Sequence, residues 1–430
     1  MVMQDRKLAL TEDRLAKIPR PADGADWVTQ ARAAAMDRVI AMGLPNKRDE
    51  YWKFTDPATL VQADAPEANT LKPSEPPIFD EIDRLKVVFV DGVFDADSSD
   101  DLALAGLEIA RLVDAMATDD HWAKDLYGVL EKNGQTPVHR PLAALNTAFA
   151  TDGLAIRVTG KVVKPISVIY HHNSPHSDAV LHHCIKIEEG AELTFLETGP
   201  AAARFNKVME VDIAEGGTFH HVRAQGRDHE RRAVTAIFAR MQANSALKSF
   251  TLTVNGVLTR NECVIDIQGD DVSAHVAGAA VGDGADFHHD DTVFVTHDAL
   301  NGESRQVFKK VLRNGATGVF QGKILVKAGA QKTDGYQISQ ALLLDDDSEF
   351  LAKPELEIYA DDVACSHGST TGAIDEDALF YLRSRGVPAQ TANDLLVLAF
   401  LAEALDEIAD ETLAAALLDR LEGWLARRSS

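Results

Sequence analysis

The chain has few cysteines, and no stretch of it is typical of export or of membrane insertion. Its 430 residues include only three thiols, those of Cys184, Cys263 and Cys365. Three thiols cannot form a disulfide framework, and such scarcity is typical of the reducing cytosol. The first residues mix both charge signs without an apolar core, so we expect no signal peptide. The longest apolar run, residues 395–405, is interrupted by Glu403 and is too short to span a bilayer, so we expect a cytoplasmic protein.

Basic residues are in the minority. The sequence has 67 aspartates and glutamates against 43 lysines and arginines, which gives a formal net charge of −24. A surface with this charge repels the phosphate backbone of nucleic acids and the head groups of anionic lipids. We therefore expect no nucleic-acid partner and no membrane partner.

The sequence motifs of common enzymes are also missing. No GxxxxGK[ST] phosphate loop is present; the nearest fragment, residues 318–323, has the wrong spacing and is followed by Ile324. No GxGxxG motif opens a helix, and neither GxSxG nor HExxH occurs. The chain therefore has no recognisable site for nucleotide hydrolysis, dinucleotide binding or standard hydrolysis, and we expect that it is not an enzyme.

Three regions with different predicted secondary structure follow one another along the sequence. Residues 1–150 read as a mostly helical N-terminal region, with helices predicted at 26–42, about 100–130 and 142–150. A short strand is predicted at 86–91. The remaining chain divides into a β-rich core and a C-terminal helical region.

Residues 151–370 alternate between polar and apolar side chains, which predicts short β-strands. Four segments that place a small or polar turn before a strand begin at residues 188, 214, 242 and 268, in steps of 26, 28 and 26. A recurring step of this size favours the stacked turns of a β-solenoid. A β-sandwich or jelly roll, which also has short strands between turns, stays open as the alternative.

Residues 371–430 return to a helical pattern. Asp375 is predicted to cap one helix, and Thr391 with Asp394 resembles a capping box before a second. A last helix is predicted at 411–427. The second helix contains the run LLVLAFLAEAL, which is apolar almost all round and is therefore buried, either against the end of the β domain or under a partner protein.

Histidines occur in four adjacent pairs, and each pair suggests a metal site at first sight. The pairs are His171–His172, His182–His183, His220–His221 and His288–His289. Neighbouring residues on a strand point to opposite faces, so one pair cannot easily hold one ion. We expect one solvated ring and one packed ring in each pair, and we interpret Cys184 and Cys263 as packing residues.

The segment EIYADDVACSHGST, residues 357–370, carries the best candidate site. On a strand, Cys365 and His367 share one face with Asp361 and Val363, and the two candidate ligands lie roughly 6.5 Å apart. A thiolate and an imidazole at that separation can reach one iron or zinc ion, or a cluster edge, but two ligands are too few to hold it. From the residues alone, a small buried hydrophobe is the favoured role of Cys365.

An autonomous β-helix enzyme, dependent on a metal or acting on carbohydrate, is the alternative function. It needs carboxylates and histidines that converge on one solvent-facing groove. The candidates are Asp266, Asp270 and Asp271, or Asp290 and Asp291 with His288.

Long strings of the sequence resemble the SufB/SufD family. They are VFQGKILVKAGAQKTDGYQ (319–337), AKPELEIYADDVACSHGSTTG (352–372), DALFYLRSRGVP (377–388), AFLAEALDEI (399–408) and, near the N-terminus, KRDEYWKFTD (47–56). The Asp-Asp-Val-x-Cys-x-His-Gly string is similar to the SufD-type branch of the family rather than to the SufB type. Ser369, where alanine is usual, and residues 337–344 depart from the family pattern.

The resemblance implies a mainly β protein with a right-handed parallel β-helix core between helical terminal regions. It implies a scaffold subunit of an iron–sulfur cluster assembly complex, paired with SufB and docked to the SufC ATPase through residues 371–430. Cys365 and His367 match the family's Cys-x-His pair, which is implicated in the cluster assembly site and in transient metal binding. It further implies a role in iron acquisition and no permanently bound cofactor. Flavin association of the complex and a homodimer of the isolated chain stay open.

Overall fold

The computed structural model describes residues 2–70, 77–104, 106–226 and 230–428, with side chains from residue 6 to residue 425. The helices are α1 (Val2–Lys17), α2 (Asp26–Met42), α3 (Ala58–Val61), α4 (Leu112–Met116), α5 (Val129–Asn133), α6 (Pro141–Phe149), α7 (Glu376–Ser384), α8 (Ala389–Leu405) and α9 (Glu411–Arg428), with 3-10 turns at Glu50–Trp52 and Trp122–Asp125.

The strands lie mainly between residues 154 and 372. They are β1 (Leu85–Val90), β2 (Val93–Asp95), β3 (Leu107–Arg111), β4 (Leu154–Val158), β5 (Ile166–His171), β6 (Asp178–Ile187), β7 (Glu192–Thr198), β8 (Arg204–Ile213), β9 (Thr218–Gln225), β10 (Arg232–Met241), β11 (Ala246–Val254), β12 (Leu258–Ile267), β13 (Ser273–Asp283), β14 (His288–His297), β15 (Glu303–Arg313), β16 (Thr317–Val326), β17 (Asp334–Leu343), β18 (Glu349–Ile358) and β19 (Ala364–Gly372).

The strands form two stacked sheets that are parallel except at the first turn, where β2 and β3 pair antiparallel. Sheet A has ten strands in the order β19-β17-β15-β13-β11-β9-β7-β5-β1-β2, and sheet B has nine in the order β18-β16-β14-β12-β10-β8-β6-β4-β3. Each turn of the chain adds one strand to each sheet, so the molecule is a parallel β-solenoid of about seven turns. The predicted β-helix is confirmed, and the sandwich and jelly roll, which need antiparallel sheets, are excluded. The division of the chain at residues 150 and 370 stays a prediction.

The register of sheet A shows the repeat that the sequence predicted. Glu192 lies opposite Thr218, Thr218 opposite Ala246, and Ala246 opposite Ser273, which are offsets of 26, 28 and 27 residues. Each turn therefore places a residue directly beside the one about 26 to 28 positions earlier in this part of the chain. Side chains far apart in sequence meet by this rule.

One corner of the solenoid explains why the repeat begins with small and polar residues. At this corner six stacked residues have left-handed backbone conformations, with φ between 57° and 67°: Gly190, Gly216, Asn244, Asp271, Asn301 and Lys332. The amide of each donates a hydrogen bond to a carbonyl of the corner above, as Asn244 N does to Asp270 O at 2.8 Å. Glycine, asparagine and aspartate tolerate this conformation best, and they occupy five of the six places.

The N-terminal helices cover the outer face of sheet B. Helix α6 packs on β6 and β8, and its buried Asn146 donates from Nδ2 to the carbonyls of Leu181 and Asn206 at 3.0 Å. The predicted helices at 26–42 and 142–150 are confirmed within one residue. The helix predicted at about 100–130 is wrong.

Within residues 100–130 the chain forms a strand and short helices instead of one long helix. Strand β3 pairs antiparallel with β4, while α4 has only five residues. The edge of sheet B at β4 lies beside this segment, and pairing with β4 outweighs the local helical preference of residues 107–111.

The C-terminal helices lie along the outer face of sheet A. Val397 and Leu401 of α8, with Leu417 of α9, join one buried cluster with Phe250 and Val307 of the sheet. The predicted burial of the apolar run is confirmed for this side of α8, but the helix packs on the flank of the β domain and not on its end.

The start of each C-terminal helix tests the predicted caps. Asp375 accepts hydrogen bonds from the amides of Asp377 and Ala378 at 2.9 and 3.0 Å, so this cap is confirmed. The capping box of Thr391 and Asp394 is wrong because α8 already begins at Ala389, directly after a proline whose fixed φ suits a helix start.

Candidate functional site

The two ends of the solenoid differ. At the first turn, β2 and β3 pair antiparallel with β1 and β4 and close the sheets. At the last turn, β18 pairs only with β16 and β19 only with β17 among the strands of the two sheets. We call β18 and β19 the open end. Their free edges carry backbone groups able to pair with another chain.

Cys365 and His367 lie side by side on β19. In register they face Gly335 and Gln337 of β17, whose residues are buried and point to the solenoid interior. Because no further turn covers β19, Cys365 is half-buried and His367 is exposed. The predicted pairing of these two side chains on one strand face is therefore found.

The side chain of Cys365 packs in a defined position. It packs against a small buried cluster that contains Ile324 and Val326. A Cβ atom added at Gly335 would come 3.2 Å from its Sγ atom, so the glycine makes room for the thiol. Burial raises the pKa of the Cys365 thiol, and a backbone hydrogen bond with Gly335 acts in the opposite direction.

One detail of the predicted strand face is wrong. Asp361 lies in the bend that precedes β19, which begins at Ala364, so it is not on the strand; Val363 directly precedes the strand and packs against the same cluster as Cys365. Among the described residues, no third histidine, cysteine or carboxylate joins these two closely enough to hold an ion. The described residues thus place two potential ligand groups, a thiol and an imidazole, at the open end.

In the histidine pairs the two rings point to opposite faces of the strand, as predicted, but the predicted difference in burial is only partly found. His171 is exposed and His172 is buried, as predicted. In the pair His182–His183 both rings are fully buried, which corrects the expectation of one solvated ring. His183 points to the interior, where burial lowers its pKa to about 3, and helix α6 covers His182 on the outer face. The other two pairs each have one half-buried and one buried ring.

A second thiol–imidazole pair lies on β6. His182, Cys184 and Glu210 of β8 are fully buried, and one ligand atom of each lies within 4.8 Å of the other two. Glu210 was missed by sequence reasoning, although the repeat contains the signal: it is 26 residues after Cys184 and directly opposite it in register. Cys263 is buried in the apolar core, where burial raises its pKa to about 12, as expected of a packing residue.

The carboxylates of the alternative enzyme do not form one groove. Asp290 points outward and binds Thr55 at 2.6 Å, whereas Asp291 points into the solenoid and binds Lys310 at 2.5 Å. Asp270 and Asp271 are exposed at the corner, where both accept hydrogen bonds from the next turn. Asp270 and Asp271 thus link neighbouring turns, and Asp290 joins the N-terminal segment to β14.

Part of the C-terminal helical surface remains uncovered. Helix α7 has no buried residues, and its Phe380 and Tyr381 are 74% and 55% exposed. Leu395 of α8 is also exposed. Two exposed aromatic side chains on one short helix are typical of a protein-binding surface.

The family of the chain follows from comparison with known proteins. Residues 170–400 match the family profile described as "SUF system FeS cluster assembly, SufBD core domain", and residues 20–168 match the "SufBD protein N-terminal region". The chain belongs to the SufBD family. This assigns it to the iron–sulfur cluster assembly proteins, as the resemblance of the sequence strings implied.

Similar curated proteins span most of the SufBD-family chain. The iron–sulfur cluster assembly protein SufD of Escherichia coli is 27% identical over 418 residues, which cover 93% of each chain. A SufBD family protein of Synechocystis is 27% identical over 88% of this chain and 86% of its own. SufD of Bacillus subtilis is 26% identical over 68% of each chain. In the described residues of this SufBD protein, every helix is too short or too polar to cross a bilayer.

Proposed function

We propose that this chain is the SufD-type scaffold subunit of an iron–sulfur cluster assembly complex. In this proposal its open end pairs with a SufB-like subunit, and Cys365 and His367 contribute to the site where iron and sulfide are assembled. The observation that carries the proposal is the position of the two side chains. A thiol and an imidazole lie on the last turn of a solenoid whose strand edges are free.

The ligand count supports a shared site. An iron or zinc ion held by protein side chains takes about four ligands. Cys365 and His367 supply two, and the described residues bring no third group to them. A partner that completes the site must therefore approach the open end, where the exposed His367 is reachable.

The free edge of β19 suits such a partner. Ala364 N donates to the carbonyl of Thr333, the residue before β17, so the amides of alternate residues, among them Cys365 and His367, point to the free edge. A strand of the partner added at this edge would lie about 4.8 Å from β19 and extend sheet A by one strand. On β18 the corresponding positions include Pro354, which has no amide hydrogen to offer.

The exposed surface of α7 and α8 is the second proposed interface, and its partner is the ATPase subunit. The sequence has no phosphate loop of its own, so ATP hydrolysis in the complex requires another subunit. We propose that a SufC-like ATPase docks on α7 and α8 through Phe380 and Tyr381. Helix α8 packs directly on β13 and β15, so a displacement of the helices at that surface is transmitted to the solenoid. Iron and the nascent cluster are the cargo of this machine, and the chain supports iron acquisition by offering ligands.

The site is tested by substitution at the open end. Cys365→Ser and His367→Ala are each expected to lower cluster yield in a reconstituted assembly reaction about tenfold or more, since each removes one of few ligands. Ser366→Ala is the matched control, because Ser366 lies between them on the opposite face of β19. Unchanged yield in both variants, with the complex intact by gel filtration, would overturn the site assignment.

The docking surface is tested separately. Phe380→Asp with Tyr381→Asp is expected to weaken binding of the SufC-like ATPase by about 2 kcal/mol, roughly thirtyfold, as is usual for aromatic anchors. Val163→Asp is the control, because Val163 is 91% exposed and far along the chain from α7. Calorimetric titration of the full chain decides. Equal affinity of the double variant and the control would contradict docking at α7.

A further inference from the structure

Helices α5 and α6 cover a second potential ligand set, far from the open end. His182 and Cys184 lie two residues apart on β6, on the outer face of sheet B, and Glu210 of β8 lies opposite Cys184. All three side chains are completely buried. Nitrogen, sulfur and oxygen donors are thus held together by two adjacent strands of a rigid sheet.

Both ring nitrogens of His182 face oxygen atoms of an amide and a carboxylate, which can only accept a hydrogen bond. Nδ1 lies 3.0 Å from Asn146 Oδ1, and the orientation of that amide is fixed since its Nδ2 donates to two carbonyls. Nε2 lies 2.9 Å from Glu210 Oε2. With Nδ1 donating to the amide, Nε2 and the carboxylate can make their contact only by sharing one additional proton.

The carboxylate is itself held as an acceptor. Its two oxygens accept hydrogen bonds from the amides of Gly128 and Glu131, at 2.6 and 2.7 Å. These contacts fix the oxygen that faces His182 and leave the side chain little freedom to turn away. The acceptor oxygens are therefore preorganised around the space between His182 and Glu210, where a positive charge is favoured.

The charge balance shows what else can occupy this place. With one shared proton and a neutral thiol, the group of His182, Cys184 and Glu210 has a net charge of zero. A divalent metal ion that displaces the shared proton and the thiol proton leaves neutral imidazole, thiolate and carboxylate around two positive charges, again zero. Two protons are released to solvent, and no uncompensated charge is buried, which is the condition for an ionic site in a protein interior.

We propose that His182, Cys184 and Glu210 form a binding site for one divalent transition-metal ion of intermediate softness, zinc or ferrous iron. The ligand atoms already lie within 4.8 Å of one another, and metal–ligand distances of about 2.0–2.3 Å need only small side-chain movements. Three protein ligands leave one position for a water molecule. This site does not depend on the proposed function, because it lies in the wall of the solenoid and uses neither Cys365 nor His367.

The test uses the full chain with Cys365→Ser and His367→Ala, so that the open end cannot contribute. Because the site is buried, the protein is unfolded in urea with a reductant and refolded with one equivalent of Co²⁺, Zn²⁺ or Fe²⁺ before dialysis. We expect about one retained ion per chain, a thiolate-to-cobalt charge-transfer band with Co²⁺, and release of about two protons on binding.

Matched cysteine variants identify the ligand. Cys184→Ser is expected to lose the charge-transfer band and at least about nine tenths of the retained metal, whereas Cys263→Ser, at another buried thiol on β12, keeps both. Cys184→Ala serves if the serine variant does not refold. Failure of the parent to retain any of the three metals, or equal retention in the Cys184 and Cys263 variants, would overturn the proposal. Retention of zinc but not of iron would support the proposal and identify zinc as the ion that the site binds.

Discussion

The chain carries two pairs of a thiol and an imidazole at the same spacing, in two different surroundings. His182 and Cys184 lie in the wall of the solenoid, where the neighbouring strand brings Glu210 beside them and helices cover them. Cys365 and His367 lie on the last strand, where no neighbouring turn follows. The same local pattern is therefore completed within the chain in one case and left for a partner in the other. In a solenoid, the position of a turn in the stack decides what its side chains can do.

Replacing Glu210, the carboxylate beside the buried pair of His182 and Cys184, has the largest expected effect on stability. Glu210→Ala leaves two amides and His182 without their partner, which we expect to lower the free energy of unfolding by about 3–5 kcal/mol. Glu349→Ala, at an exposed position of the open end, is expected to change it by less than about 0.5 kcal/mol. Urea unfolding followed by circular dichroism compares the two. Similar losses would show that the buried group is not organised around Glu210.

His297, a buried histidine inside the solenoid, makes the stability of the fold sensitive to acid. Burial lowers the pKa of His297 to about 4, against about 6.5 in an unfolded chain. Below pH 6.5 the unfolded state takes up a proton that the folded state refuses until about pH 4. Stability is therefore lost as the pH falls through this window, by about 3 kcal/mol in total, and is fully present above it.

Replacement of this ring should flatten the pH dependence. We expect His297→Gln to lose about 3 kcal/mol less stability than the parent between pH 7 and pH 4, measured by urea unfolding at each pH. Ser304→Ala is the control, since it removes the 2.9 Å hydrogen bond to His297 Nε2 and keeps the imidazole. An unchanged slope in the glutamine variant would mean that other groups cause the acid sensitivity.

The sequence predicted those features that depend on local pattern or on the repeat. The turns at 188, 214, 242 and 268, the face shared by Cys365 and His367, and the cap at Asp375 all follow from neighbouring residues or from a constant step. Glu210 was within reach of the same logic, because a step of 26 residues from Cys184 leads to it.

Other features depend on tertiary context and could not be predicted. The segment Leu107–Arg111 is a strand because β4 offered an edge, which its own residues do not encode. The apolar run of α8 indicates burial but not against which surface, because hydrophobic packing is not directional. The covering of His182 by α6 similarly required the fold, since an adjacent histidine pair carries no information about what lies outside the sheet.

Of the three buried positions tested, Gly335 beside Cys365 has the smallest expected effect on stability, and its substitution tests whether the open end is adjustable. In Gly335→Ala the new methyl group would lie 3.2 Å from Sγ of Cys365, so the thiol must shift by a few tenths of an ångström. Strand β19 is held on one side only and can yield, so we expect the free energy of unfolding to change by less than about 1 kcal/mol.

The displaced thiol should nevertheless matter for assembly. Ligand geometry tolerates little error, and we expect cluster yield to fall severalfold in Gly335→Ala while stability is kept. Gly372→Ala is the control, because Gly372 lies on β19, the strand of Cys365, and a Cβ atom there meets nothing within 4 Å. A stability loss of several kcal/mol in Gly335→Ala would instead show that the last turn is as rigid as the wall around Glu210, and the difference between the two thiol–imidazole pairs would then lie in their partners alone.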